Sequence, residues 1–256
     1  MNFTLKRAQL LCTISLFLPL AAFAAHPLIT EDTGTQGTGK FQLEANAEHG
    51  YQDGDGSQTH TFVMATTLSY GFRDDVDLMF SAQHSETNIL TDGELDTTGK
   101  GFNDIALDVK WRFYEKDGVS YGIKPGITFP TGDKDKGLGA GKATYGAMLF
   151  SSIEQEAWMY NWHVGYKHNR NDVDERENLW HFSASLWYSI RENLKLAADI
   201  GTDTNPDKTS NDRPRYLVLG AIYSPNDDMD LDLGIRKEIT GPAVNYAGLA
   251  GLTLRW

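Results

Sequence analysis

Val244-Asn245-Tyr246-Ala247-Gly248-Leu249-Ala250-Gly251-Leu252-Thr253-Leu254-Arg255-Trp256 ends the sequence as an alternating, strand-length segment with an aromatic at the free carboxylate. Terminal residues of a soluble chain fray into water, which gives little reason to end on an apolar Trp. In a transmembrane β-barrel the last strand closes the cylinder, and its outward aromatic sits in the interfacial girdle. The segment therefore predicts an all-β chain folded as a transmembrane antiparallel barrel.

Upstream, period-two alternation begins at Phe41 and scarcely stops. Phe41, Leu43, Ala45 and Ala47 alternate with Gln42, Glu44, Asn46 and Glu48. Phe62, Met64, Leu68, Tyr70 and Phe72 share one face of the next strand, and Val76, Leu78, Phe80 and Ala82 share one face of the third. The fourth sets Ile105, Leu107, Val109, Trp111 and Phe113 against Asp104, Ala106, Asp108, Lys110 and Arg112, so that one face suits hydrocarbon and the other does not. Further strands are expected over 119–129, 143–153, 158–168, 179–190, 194–202, 216–223, 229–239 and 244–256. The total is about twelve, an even number as in bacterial single-chain barrels.

Such barrels have short periplasmic turns and longer outer loops. Short connections fall at 73–75, 115–118, 154–156, 191–193 and 225–228, and longer ones at 53–58, 87–101, 131–142, 169–178 and 205–213, with 240–243 as a short exception. Both termini are thus expected in the periplasm, with residues 25–40 as a polar periplasmic lead-in to a barrel over 41–256. Aromatics segregate by strand end into two membrane girdles. Phe72, Phe113, Trp158, Tyr188 and Trp256 form the periplasmic one, and Tyr51, Phe129, Tyr145, Tyr166, Trp180 and Tyr246 the outer one. Pro125 faces outward in this register yet removes a ladder donor in mid-strand, which predicts a bulge.

The N-terminus carries Lys6 and Arg7, an apolar stretch from Leu10 to Phe23, and Ala22-Phe23-Ala24 before Ala25. That is the pattern of a secretory signal cleaved after Ala24, too short for a spanning helix. Cys12 lies inside it, so the mature chain has no cysteine, no disulfide and no thiolate metal site. Losing Lys6 and Arg7 takes the formal charge from −12 to −14, an acidic balance that argues against nucleic acid as a partner.

Chemistry-bearing motifs are few, and no cofactor or metal is expected. Gly137-Leu138-Gly139-Ala140-Gly141-Lys142-Ala143 fails the phosphate-loop pattern in spacing and lacks the hydroxyl for magnesium. Asp53-Gly54-Asp55-Gly56 and Asp133-Lys134-Asp135 lack calcium-loop spacing. His49, His60, His84, His163 and His168 show no metal-ligand spacing. His181 and Ser183 share a face, but it points into the lumen, away from any lipid substrate, so catalysis is not expected.

The lumen face is the most specific feature. Its expected pore-lining residues are Glu44, Glu48, Asp77, Asp104, Asp108, Asp199, Asp203, Asp230, Asp232 and Glu238, opposed by Lys110, Arg112, Lys124, Lys167, Lys195, Arg236 and Arg255, with His163 and His181 beside them. A basic wall of Lys110, Arg112 and Lys124 would face an acidic wall of Asp199, Asp230 and Asp232, giving a transverse field that selects solutes. Alternatively, these charges simply pair and fill a narrow bore.

Two stretches resemble a known family. His26-Pro27-Leu28-Ile29-Thr30-Glu31-Asp32-Thr33-Gly34-Thr35-Gln36-Gly37, continuing through Gly39-Lys40-Phe41-Gln42-Leu43-Glu44, and Phe129-Pro130-Thr131-Gly132-Asp133 are similar to the outer-membrane transporter family named after the meta pathway of phenol degradation. The resemblance implies a Gram-negative outer-membrane channel passing small, often aromatic or hydrophobic, solutes inward, with no catalytic residues. As partners it implies outer-membrane lipid and lipopolysaccharide, and the barrel-assembly machinery, which reads the C-terminal strand. The rival readings are an outer-membrane lipid hydrolase and a plugged structural or interaction barrel.

Overall fold

The computed structural model describes residues 26–54, 57–91, 94–240 and 244–256; the expected signal segment lies outside them. Its strands are β1 (Phe41–Gly54), β2 (Ser57–Arg73), β3 (Val76–Thr91), β4 (Glu94–Phe102), β5 (Ile105–Lys116), β6 (Val119–Phe129), β7 (Thr144–Gln155), β8 (Trp158–His168), β9 (Asn178–Arg191), β10 (Leu194–Asp203), β11 (Arg215–Asn226), β12 (Met229–Glu238) and β13 (Val244–Arg255).

Sequence alternation becomes an inside and an outside. On β10, Lys195, Ala197 and Asp199 are buried while Leu196 and Ile200 are 47% and 54% exposed. On β12, Asp230 and Asp232 are buried and Leu231, Leu233 and Ile235 are exposed. Charge inside and aliphatic surface outside is the reverse of a water-soluble sandwich and matches a wall facing lipid.

Neighbouring strands pair antiparallel, and β1 pairs with β13 from Gln42↔Arg255 to Asp53↔Val244, closing the cylinder. Phe41 and Trp256 complete the seam by donating their amides to each other's carbonyls at 2.9 and 3.1 Å. The wall has twelve strands, because β4 pairs only with the outer half of β3 while the inner half of β3 pairs with β5.

Several connections differ from expectation. Where an irregular loop is expected over 87–101, β3 and β4 pair antiparallel from His84↔Phe102 to Thr91↔Glu94. The connection at 53–58 is tight, since the β1–β2 ladder runs to Gly54↔Ser57. Polarity on both faces reads as loop in sequence. Threonines such as Thr59, Thr61 and Thr87 nonetheless continue the ladder above the apolar band, so β2 and β3 reach 17 and 16 residues, well beyond the roughly 9–11 needed to cross. The expected bulge at Pro125 is also absent. The offset of Trp111↔Ile123 is kept at Asp108↔Gly126, and the irregularity lies between Arg112 and Tyr114. Pro125 interrupts rungs on its β5 side without inserting a residue, and Pro125↔Ala147 still pairs on the other.

Candidate functional site: the barrel lumen

Strand parity places Glu44, Glu48, Asp77, Asp108, Lys110, Arg112, Lys124, His163, Lys167, His181, Lys195, Asp199, Asp203, Asp230, Asp232, Arg236 and Glu238 on the inward face. Asp104 is different. It lies before β5 and accepts the amides of Gly132 and Ala140 at 2.8 and 2.9 Å, clasping the β6–β7 loop. The girdle residues Tyr51, Phe72, Phe113, Phe129, Tyr145, Trp158, Tyr166, Trp180, Tyr188, Tyr246 and Trp256 all lie on the opposite parity. They pack in pairs such as Trp158–Tyr188, with ring centroids 4.4 Å apart, and Tyr166–Trp180 at 4.9 Å.

The stretch expected as a polar lead-in outside the barrel is held within it. Residues 26–38 lie inside the barrel, and the described chain begins beside Asp232, whose carboxylate pairs with His26. At the short-turn end, Asp74 accepts the amide and hydroxyl of Thr38 at 3.0 and 2.5 Å, and Asp77 accepts the amide of Gln36. Deeper in, Thr33 donates its amide to Ser152 at 3.0 Å and meets the Ser120 hydroxyl at 2.5 Å. Lys110 pairs with Glu31 at 2.9 Å and Asp32 at 3.2 Å, and Lys124 also pairs with Glu31. His163 Nδ1 accepts the Glu31 amide at 2.9 Å. Asp199 accepts the amides of Ile29 and Thr30, both at 2.7 Å. The segment thus crosses from the β3 wall to the β12 wall.

Apolar packing completes the seat. Leu28 joins Trp187, Ala197, Tyr216, Val218, Ile222, Ala247 and Leu249 in the buried core, which is therefore inside the lumen. Burying Leu28 is worth about 1.5–3 kcal/mol. Pro27 approaches so closely that a Cβ on Gly220 would lie 2.4 Å, and on Gly234 2.8 Å, from its ring. Gly220→Leu is expected to expel Pro27 and leave residues 26–30 cleavable by protease while the barrel stays folded; unchanged resistance would show that this contact does not seat the segment.

The latch at Asp74 carries a pH dependence. Thr38's hydroxyl and amide hold this carboxyl below its ordinary value of 3.8. A depressed carboxyl supplies its stabilisation above the unfolded-state value and loses it as pH falls through the folded one. Exchange protection of the Thr38 amide is expected to persist at neutral pH and vanish in acid below that range, whereas Asp74→Asn abolishes the dependence.

Of the charges expected to oppose across the lumen, many are satisfied locally. Arg236 grips Glu48 through two bonds of 2.9 and 2.5 Å, and Arg255 meets Asp230 at 2.5 Å. The basic wall's Lys110 and Lys124 are answered by Glu31 and Asp32, not by the acidic wall. His181 pairs with Asp203 at 2.6 Å instead of with Ser183. Ser183 meets His163 Nε2 at 3.2 Å, but His163 Nδ1 accepts from Glu31. The neutral ring therefore carries its proton on Nε2 and offers Ser183 no base. Among the described residues no group of His, Cys, Asp and Glu is arranged to hold a metal ion.

Sequence reasoning missed the partners of the segment. Ser120, Ser152, Ser183 and the Gly220–Gly234 pair are small inward residues where a bulky lining was equally available. Their smallness, together with the Glu31-Asp32 doublet ahead of the first strand, was the signal that something fills the bore.

The family model "Putative MetA-pathway of phenol degradation" matches residues 24–256. The chain belongs to this family. No curated protein matches it. Among solved structures, this family member is similar to the NanC porin, with TM-score 0.52, 11% identity, and coverage of 82% of this chain and 98% of that one. It is similar to the KdgM porin, with TM-score 0.51, 8% identity, and coverage of 82% and 98%. It also resembles the translocator domain of the autotransporter NalP from Neisseria meningitidis, with TM-score 0.51, 12% identity, and coverage of 86% and 89%. At these identities the likeness is one of fold, shared by this family member and outer-membrane barrels.

Proposed function

We propose that this protein is a non-enzymatic outer-membrane channel for passive passage of small solutes, held closed in the observed state by its own residues 26–38. The reading has a cleaved signal, the long loops outside and the short-turn end in the periplasm. The observation that carries it is the way the segment is held, by side chains and a single chain of backbone, inside a closed wall whose ladder does not depend on it. Removing it leaves the cylinder intact and uncovers a bore whose charged lining is interrupted by the Trp187–Val218–Leu249 strip, with Asp199 and Arg236 beside Val218 and Glu48 beside Leu249. That strip gives aromatic or hydrophobic solutes, to which the family's description points, a surface to follow.

The test is single-channel recording in planar bilayers, comparing the full chain with a variant lacking 26–38. Steady conductance is expected in the variant and rare openings in the full chain. The segment's tight seat also favours a second reading, a permanently plugged structural barrel, and a silent variant would establish that one. In the conducting variant Lys110 and Lys124 lack Glu31, so neutralising Lys110, Arg112 and Lys124 is expected to move the reversal potential toward cation preference. An unchanged potential with current flowing would mean that these side chains do not line the path.

A further inference from the structure

On the long-loop side of the segment lies a cavity of about 470 Å³ lined by residues of β5, β6, β7, β8, β9 and the end of β10, with the outer-girdle residues Tyr145, Tyr166 and Trp180 also bordering it. Among its lining groups are Asp108, Lys124, Thr144, Lys167, His181 and Asp203. Thr144 is 1% exposed, and its hydroxyl has no hydrogen-bond partner among the described residues. A buried hydroxyl left unpaired is costly unless something fills the site. Lys167 points into the same space with no ion-pair partner among the described residues. Asp108 reaches across β6 because residue 126 is glycine; a Cβ there would sit 1.9 Å from its Oδ1. The cavity therefore offers an ammonium for an anion, and carboxylates with a spare hydroxyl for hydrogen-bond donors.

Two lining groups touch the segment's holding network. Lys124 pairs with Glu31. The His181 ring lies 4.5 Å from the His163 ring that accepts the Glu31 amide. While the segment is seated, Glu31 neutralises Lys124; once it leaves, Lys124 is free for another anion. An anionic ligand in the cavity must then bind the released state more tightly, which is the condition for it to shift the equilibrium.

We propose that this cavity is an entry site for a small carboxylate bearing hydroxyl groups, and that its binding draws Lys124 from Glu31 and so unseats residues 26–38. The inference rests on the reading of the segment as a displaceable plug. The carboxylate engages Lys167 and Lys124, and the hydroxyls donate to Asp108 and Asp203 or pair with Thr144.

The test uses the full chain in planar bilayers with D-gluconate, D-glucose or acetate added on the long-loop side. Gluconate is expected to raise open probability by about 5- to 150-fold, the usual span of coupling between sites, with glucose and acetate inactive. Lys167→Gln is expected to weaken gluconate binding by calorimetry, and undiminished binding would overturn the place of Lys167 in the site. Conductance in the variant lacking 26–38, combined with a full chain indifferent to gluconate or equally responsive to glucose, overturns this inference and leaves the channel reading standing. A silent deletion variant overturns both.

Discussion

Lys110→Met is expected to unseat the N-terminal segment while leaving the barrel closed. Lys110 is 5% exposed, and its ammonium meets Glu31 and Asp32 on the segment. Without it, two buried carboxylates face each other with Lys124 the remaining cation in contact. Removing one partner of a buried ion pair costs about 3–5 kcal/mol, because the charge left behind has neither partner nor water. At 1.4 kcal/mol per decade, that shifts the seated-to-released ratio by about two to four decades. The measurement is amide exchange at Thr30 and Thr33, with strand amides of β7 and β10 as internal reference. Segment protection should fall by that factor and strand protection should hold. Equal protection in both proteins would mean that hydrogen bonding to Asp199 and Ser152 holds the segment without the ions.

The opposite manipulation should abolish current altogether. Thr33 and Ser120 bring their hydroxyl oxygens to 2.5 Å, a side-chain approach compatible with the geometry of a disulfide. The chain's one cysteine is Cys12, within the stretch read as signal, so Thr33→Cys with Ser120→Cys introduces the two thiols of the mature protein. Oxidised, this double variant is expected to show no openings, even with Lys110→Met added, and reductant should restore them. Persisting current in the oxidised, cross-linked protein would show that solute passes without displacement of the segment.

The wall was legible in sequence because lipid on one side and polar contents on the other force a strict period of two. The paired aromatics at strand ends and the terminal Trp256 belong to the same constraint. Legibility stopped where that constraint stops. Above the apolar band, Thr59, Thr61, Thr87 and their neighbours keep their backbone ladder with no hydrophobic face to announce it. Pro125 suggested an extra residue where the chain only drops rungs. The segment 26–38 has neither periodicity nor apolar content beyond Pro27, Leu28 and Ile29. Its polar groups read as solvated until Asp199, Ser152 and Lys110, each distant in the chain, are seen to receive them. Long-range polar complementarity leaves almost no local trace.

The segment's contacts also differ greatly in the length of chain they span. Thr38 reaches 36 residues ahead to Asp74, Asp32 reaches 78 to Lys110, Glu31 reaches 132 to His163, Thr30 reaches 169 to Asp199, and His26 reaches 206 to Asp232. From Thr38 to His26 the contacts thus move overall from early strands to late ones, with Thr33 reaching past the Asp32 partner on β5 to Ser120 and Ser152 on β6 and β7. The entropy of closing a loop grows only with the logarithm of its length, by about 0.6 kcal/mol per doubling. Docking in this graded order divides the ordering of the segment into small increments, each anchored by the one before. The same polypeptide that stops the bore is in this way a ruler laid along the order of the strands, and a circularly permuted barrel beginning at β7 would have the identical wall but no such graded route to its contents.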